Sequence, residues 1–183
     1  FFEALRDYLN TNKFTAVEAH NLRLSFEKIT GEDLNWFWNQ WFFDKGYPNI
    51  EINYVYNDSL RQQLIITEQK QVKDKERVYR LPVDVDFYSN FKAARKRITL
   101  ENAIDTFAFN MPKPEFINFD AEKMLLCKKT DNHSRKDWTY MLEFCPLYLD
   151  RYEALVKLGN VKAGTTEASV VKNTAQNDKY YAI

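Results

Sequence analysis

Glycine is scarce in this chain, with four among 183 residues. So few cannot build a glycine-rich phosphate cradle, and neither GxGxxG nor GxxxxGK occurs. Histidine is scarcer: His20 and His133 are the only two, so no HExxH pair is available to hold a metal. Cys127 and Cys145 are the only cysteines. They are too few for a disulfide framework and read as two free, mostly buried thiols. Neither sign of charge is in excess, because 26 Lys and Arg balance 26 Asp and Glu. A neutral total gives no electrostatic footprint for nucleic acid or an anionic membrane. No apolar run approaches the roughly 20 residues that span a bilayer. There is no signal peptide and no initiating Met; Phe1 opens inside an apolar-periodic segment. The expectation is that the ends were cut, so that targeting information is missing rather than absent.

Apolar and aromatic residues are plentiful, at 45% and 16%, which is enough to build a core and argues against a disordered tail. Their spacing changes twice. Residues 1–46 read as helices. Phe1, Leu5, Tyr8 and Leu9 recur at helical spacing, and Ala19, Leu22, Phe26 and Ile29 line a second face behind a Thr15/Glu18 capping box. Gly31 ends that helix. The next starts near Glu32 and Asp33 and carries Leu34, Phe37, Trp38, Trp41 and Phe42 as a wide stripe, with Trp36 and Phe43 off it. Contacts on two sides are expected for this helix, and Gly46 with Pro48 is its stop.

From Pro48 the period falls to two. Strands are expected at 50–56, 60–66, 81–87, 95–100, 104–109, 115–119 and 123–127. Seven short strands with turn signals between them read as a β-sandwich over 48–129. Pro82 cannot donate to a ladder, so its strand belongs at an edge or carries a bulge. Residues 130–134, Thr-Asp-Asn-His-Ser, read as a linker. Helical period then returns over 134–183. Trp138, Met141, Leu142 and Cys145 face inward; Pro146 breaks the helix; Leu149, Tyr152, Leu155 and Val156 line the next; Thr165 or Thr166 caps a third. These short helices suggest the opening of a helical array.

The wording of several segments resembles the zinc aminopeptidase N family of gluzincin metallopeptidases. The residues concerned are Phe26-Glu27, Thr30-Gly31, Asp33-Leu34, Trp36-Phe37, Gln40-Trp41-Phe42 and Gly46-Tyr47-Pro48. They are similar to the pattern that closes that family's thermolysin-like domain. Leu81-Pro82-Val83, and Phe119-Asp120 followed by Leu125-Leu126, resemble its sandwich. Asp150-Arg151, Ala154 and Leu158 resemble the first helices of its helical domain, and Tyr180-Tyr181-Ala182-Ile183 a later one. The resemblance implies a multi-part α and β fold: helices ending a catalytic domain (1–46), an all-β immunoglobulin-like sandwich (48–129) and the first helices of a HEAT-like repeat (134–183). It also implies a parent that hydrolyses N-terminal residues from peptides with a zinc-bound water and a Glu base. The zinc motif, the recognition loop and the transition-state Tyr lie upstream in the family order. No catalytic, cofactor-binding or metal residue is therefore assigned here, and zinc is expected in the intact parent only. The expected contacts of this piece are with the parent's missing catalytic and helical domains.

Other constellations have plain readings beside sharper ones. His20, near Glu18, reads as a surface or half-buried helix residue, and His133, near Asp131, as a solvated linker residue rather than a metal ligand. Asp84 and Asp86 share one face of a strand. They could hold Ca²⁺ or act in acid–base work, but clean alternation favours a solvent-facing side. Lys92, Arg95, Lys96 and Arg97 beside Phe91 read as a charged edge strand more than a nucleic-acid site. Trp36, Trp38 and Trp41 read as core rather than a sugar platform. Two alternatives stay open: a non-catalytic scaffold of the same architecture, and a carbohydrate-binding sandwich using exposed Tyr54, Tyr56 and Tyr88.

Overall fold

In the computed structural model, residues 1–74, 76–159, 162 and 164–177 are described. The Tyr180–Ile183 resemblance lies outside them. The described residues hold six α-helices and two β-sheets, a mixed α and β fold, and the chain divides into two compact units, Phe1–Gly46 and Tyr47–Ile183.

The first unit is three helices, α1 (Phe2–Asn12), α2 (Ala19–Thr30) and α3 (Asn35–Trp41). Helix α2 ends as expected, with Gly31 left-handed at φ 74° and its N–H donating to the Glu27 carbonyl at 2.8 Å. Its start differs from expectation. The Thr15 hydroxyl donates to the Asn12 carbonyl instead of capping, and the cap is Glu18, whose N–H donates to Asn21 Oδ1 at 2.8 Å. Helix α3 is also shorter than the aromatic stripe implied. The Phe42 and Phe43 N–H groups both donate to the Trp38 carbonyl, which closes the helix well before Gly46. Trp38 alone of the three tryptophans is buried, with its indole N–H donating to the Ala19 carbonyl at 3.1 Å.

The second unit begins with a four-stranded sheet in the order β5-β2-β1-β7. Its strands are β1 (Asn49–Asn57), β2 (Gln62–Gln69), β5 (Ile104–Asn110) and β7 (Lys128–Asp131). The second sheet has the order β4-β3-β6, from β3 (Leu81–Ser89), β4 (Lys92–Leu100) and β6 (Phe116–Phe119). Alternation places Leu81, Val83, Val85 and Phe87 on one face of β3, all buried. Phe87 meets Phe109 of β5 at 4.8 Å between ring centroids, joining the two sheets. Ile50, Ile52 and Ile65 of the first sheet are fully buried, each worth about 1.5–3 kcal/mol. On the opposite face of β3, Tyr88 joins Phe116 and the helical residues Trp138, Met141, Leu142, Cys145, Ala154 and Leu158 in one core cluster.

Four expectations need correction. Strand β3 is central, not an edge; Pro82 is tolerated because β6 pairs only with Val85–Tyr88 and leaves that side of Pro82 without a strand partner. Residues 123–127 are not a strand. Asp120 and Lys123 take positive φ, and the Asp120 carboxylate accepts the Met124 and Leu125 N–H groups at 2.9 and 3.2 Å, folding the segment into a turn. The last strand instead takes Lys128–Asp131, overlapping the expected linker, and runs parallel to β1. Helix α4 (Arg135–Phe144) buries the expected face, but α5 (Tyr148–Leu158) is rotated. It buries Asp150, Ala154 and Leu158 and leaves Leu149, Tyr152 and Val156 exposed. Helix α6 (Thr166–Asn177) follows.

Candidate functional site

The site of greatest chemical interest sits where β1, β7 and α4 meet. Ser134 caps α4: its hydroxyl accepts the Asp137 N–H at 3.3 Å, while the Asp137 carboxylate accepts the Ser134 N–H and hydroxyl at 2.9 and 2.7 Å. That cap fixes the residue before it, His133. Contrary to the solvated-linker reading, only 4% of its side chain is exposed. The imidazole stacks on Tyr54 at 4.4 Å and 8°, meets Phe116 at 5.0 Å and takes the Trp138 ring edge-on at 5.0 Å and 90°. Nε2 lies 3.2 Å from Asp131 Oδ1 without hydrogen-bond geometry, and Nδ1 lies 3.8 Å from Asp137 Oδ2. The Tyr54 phenol donates to Asp131 Oδ1 at 2.7 Å.

Burial pushes the His133 pKa below its ordinary value, against the pull of Asp131 and Asp137. Burial likewise drives the Tyr54 phenol well up, and the neighbouring Asp131 carboxylate adds to this. The cluster continues inward. Lys129 Nζ is 3.5 Å from Asp131 and 3.0 Å from Glu153, and Lys123 Nζ is 3.1 Å from Glu153 and 2.8 Å from Asp150. Asn118 donates to Asp150 at 3.1 Å. Burial alone would lower the Lys123 pKa, but Asp150 and Glu153 outweigh it and the net shift is upward. For Glu153, burial is likewise outweighed by Lys129 and Lys123, and its pKa falls. Beside the histidine a cleft of about 660 Å³ opens, lined among others by Tyr56, Gln63, Lys113, Glu115 and Lys136.

This arrangement can hold a proton and can bind β7 to α4 and α5. The hydroxyl beside the histidine, that of Ser134, is engaged with Asp137. Among the described residues no three His, Cys, Asp or Glu side chains are grouped to hold a metal ion. The described residues do not fit a zinc centre.

The other candidates are placed as follows. His20 Nδ1 is 3.3 Å from Glu18, an exposed pair. Asp84 and Asp86 lie opposite Arg97 and Arg95 across β3 and β4, and each makes a two-pronged ion pair. Asp86 is buried, not solvent-facing, and Arg95 also reaches Glu122. Half of the basic cluster is thus neutralised within the sheet, and β4 is an edge strand as expected. Tyr88 is buried and Tyr54 and Tyr56 half-buried, with the Tyr56 hydroxyl donating to the Met111 carbonyl. They form no exposed platform. Cys127 and Cys145 are free, and burial pushes their thiols up to about 11 and 12. Asp150 and Arg151, singled out by the resemblance, hold structure: Asp150 pairs with Lys123, and Arg151 donates to the Cys145 and Pro146 carbonyls.

No family model and no curated protein matches the chain. Among solved structures it is similar to Legionella pneumophila aminopeptidase A in complex with aspartic acid, at 16% identity and a TM-score of 0.79. The likeness covers 97% of this chain and 22% of that enzyme, so the chain spans about a fifth of its length. The shared feature is the fold of one part of an aminopeptidase.

Proposed function

We propose that this chain is part of a zinc-dependent aminopeptidase that removes N-terminal residues from peptides, and that it serves there as a spacer. In this reading residues 1–46 close a thermolysin-like catalytic domain, 48–129 form an immunoglobulin-like sandwich, and 134–183 begin a helical repeat. The observation that carries it is the fold likeness over 97% of the chain to one part of a Legionella aminopeptidase. The aromatic segment 36–43 and the helix α5 residues Asp150, Ala154 and Leu158 support it from the sequence side. The buried ion pairs of Lys123 and Lys129 suit a spacer, because they fasten α5 to β7 and to the turn before it and fix the direction in which a helical array leaves the sheets. Zinc would be held by residues outside this chain, and no catalytic step is assigned to the residues described.

The purified chain should show no turnover of an aminoacyl-arylamide and no stoichiometric zinc by elemental analysis. The intact protein should show both and carry HExxH with a downstream Glu. Turnover by the chain alone would overturn the spacer reading. An intact protein without that motif would favour the second reading, a non-catalytic scaffold of the same architecture.

A further inference from the structure

One oxygen of Asp137 serves two neighbours. Its Oδ2 accepts the Ser134 N–H and hydroxyl, which fastens the first turn of α4, and the same atom lies 3.8 Å from His133 Nδ1. The other imidazole nitrogen, Nε2, faces Asp131 and makes no hydrogen bond. A neutral imidazole has one N–H for these two carboxylates; an imidazolium has two. The ring is packed between Tyr54, Phe116 and Trp138, so a charge placed on it must be answered by groups already beside it.

We propose that His133 is a proton-operated latch on helix α4: when protonated, its Nδ1–H draws the Asp137 carboxylate away from Ser134 and loosens the cap. Lys113, Glu115 and Lys136 line the cleft beside it, and the groups packed closest come from four elements. Strand β1 supplies the Tyr54 phenol, β7 supplies Asp131 and Lys129, α4 supplies Asp137 and α5 supplies Glu153; β6 contributes the Phe116 ring. Asp131, Asp137 and Glu153 favour the cation, while burial and Lys129 oppose it and prevail. The latch is therefore closed at neutral pH and opens as pH falls through the folded His133 midpoint, below 6.5. What opens is the end of α4 that leads into the Trp138, Met141 and Leu142 core, so the proton acts on the joint between sheet and helices.

The chain has two histidines, so its imidazole carbon–proton spectrum holds two sets of signals, and His20→Gln assigns them. The expected His133 midpoint lies below 6.5, with the Ser134 and Asp137 amide resonances moving at that same midpoint. Hydrogen-exchange protection of the Asp137 and Trp138 amides should fall about fivefold between pH 7.5 and the acid side of the His133 midpoint, the loss of one capping interaction. Ser134→Ala frees Asp137 toward the ring and should raise the His133 midpoint; Asp137→Asn should lower it and abolish the acid response of the cap amides. Cap amides that titrate apart from His133, or not at all, would overturn the latch, as would a midpoint indifferent to both substitutions. Should either variant fail to fold, the wild-type co-titration decides alone.

Discussion

The two units draw on similar residues and use them differently. In the first, α1 buries Ala4 while Phe1, Phe2 and Leu9 stand exposed, and α3 buries Trp38 while Phe42 and Phe43 are 50% and 62% exposed. In the second, the two sheets meet through Phe87 and Phe109, α4, α5 and α6 close on Tyr88 and Phe116, and even Asp86, Asp131 and Asp150 are buried against partners. The contrast shows that apolar content does not make a core; a second layer does. Three short helices provide one layer only, and helices this short gain little stability from their own hydrogen bonds. Under the proposed function the exposed aromatic face of the first unit is surface that the rest of a peptidase would cover.

The contrast can be tested from either side. Lys123→Met should have the largest effect, because it strands Asp150 without its cation. The second unit should lose about 3–5 kcal/mol in urea unfolding, with the first unit unchanged. Trp38→Ala should cost the first unit about 3–5 kcal/mol, read as rapid proteolysis within residues 1–46 while the second unit resists. Ser134→Ala should cost the second unit about 1 kcal/mol by the same urea measurement. Phe43→Ser should change stability by less than about 0.5 kcal/mol yet reduce self-association in sedimentation. A large destabilisation there would mean that the exposed aromatic face is not idle.

Acid should separate the units as well. The folded pKa of His133 is lowered, so the unfolded chain binds the proton more readily, and the stability it gives is lost as pH falls below 6.5. Glu153, also lowered, contributes stability above 4.5 that is lost as pH falls further. Lys123 is raised, so its contribution is present below 10.5 and is lost as pH rises through its folded value. The second unit should therefore weaken between pH 6.5 and 5, where the lowered acids of the first unit, Asp7 and Asp33, are still ionised. Unfolding curves of the second unit that coincide at pH 7 and pH 5 would contradict this.

Much of the fold was legible because apolar spacing reports burial against apolar neighbours. Six of seven strands and the inner face of α4 follow from it. It failed where burial is polar. Strand β7, Lys-Lys-Thr-Asp, has no apolar residue; its backbone is held by β1, its inward Lys129 by Glu153 and its inward Asp131 by Tyr54. The same blindness turned α5, since Asp150 with Ala154 and Leu158 marks the buried face and the bulkier Leu149, Tyr152 and Val156 do not. The site could have been found by other means. Ser134 and Asp137 stand at capping-box spacing, and that cap sets His133 at the mouth of a helix between two acids.

The parallel pairing of β7 with β1 also has a consequence for synthesis. Asn49 pairs with Lys128 and Ile52 with Asp131, so the strand that opens the second unit waits for one made about eighty residues later. Closing so long a loop is slow and brings no reward until the contact forms. On the ribosome, the β1–β2 and β3–β4 hairpins can form as they emerge, whereas the first sheet stays one strand short until residue 131 is free. During that interval the β1 edge is open, and a chaperone or a neighbouring nascent chain has its chance to bind there.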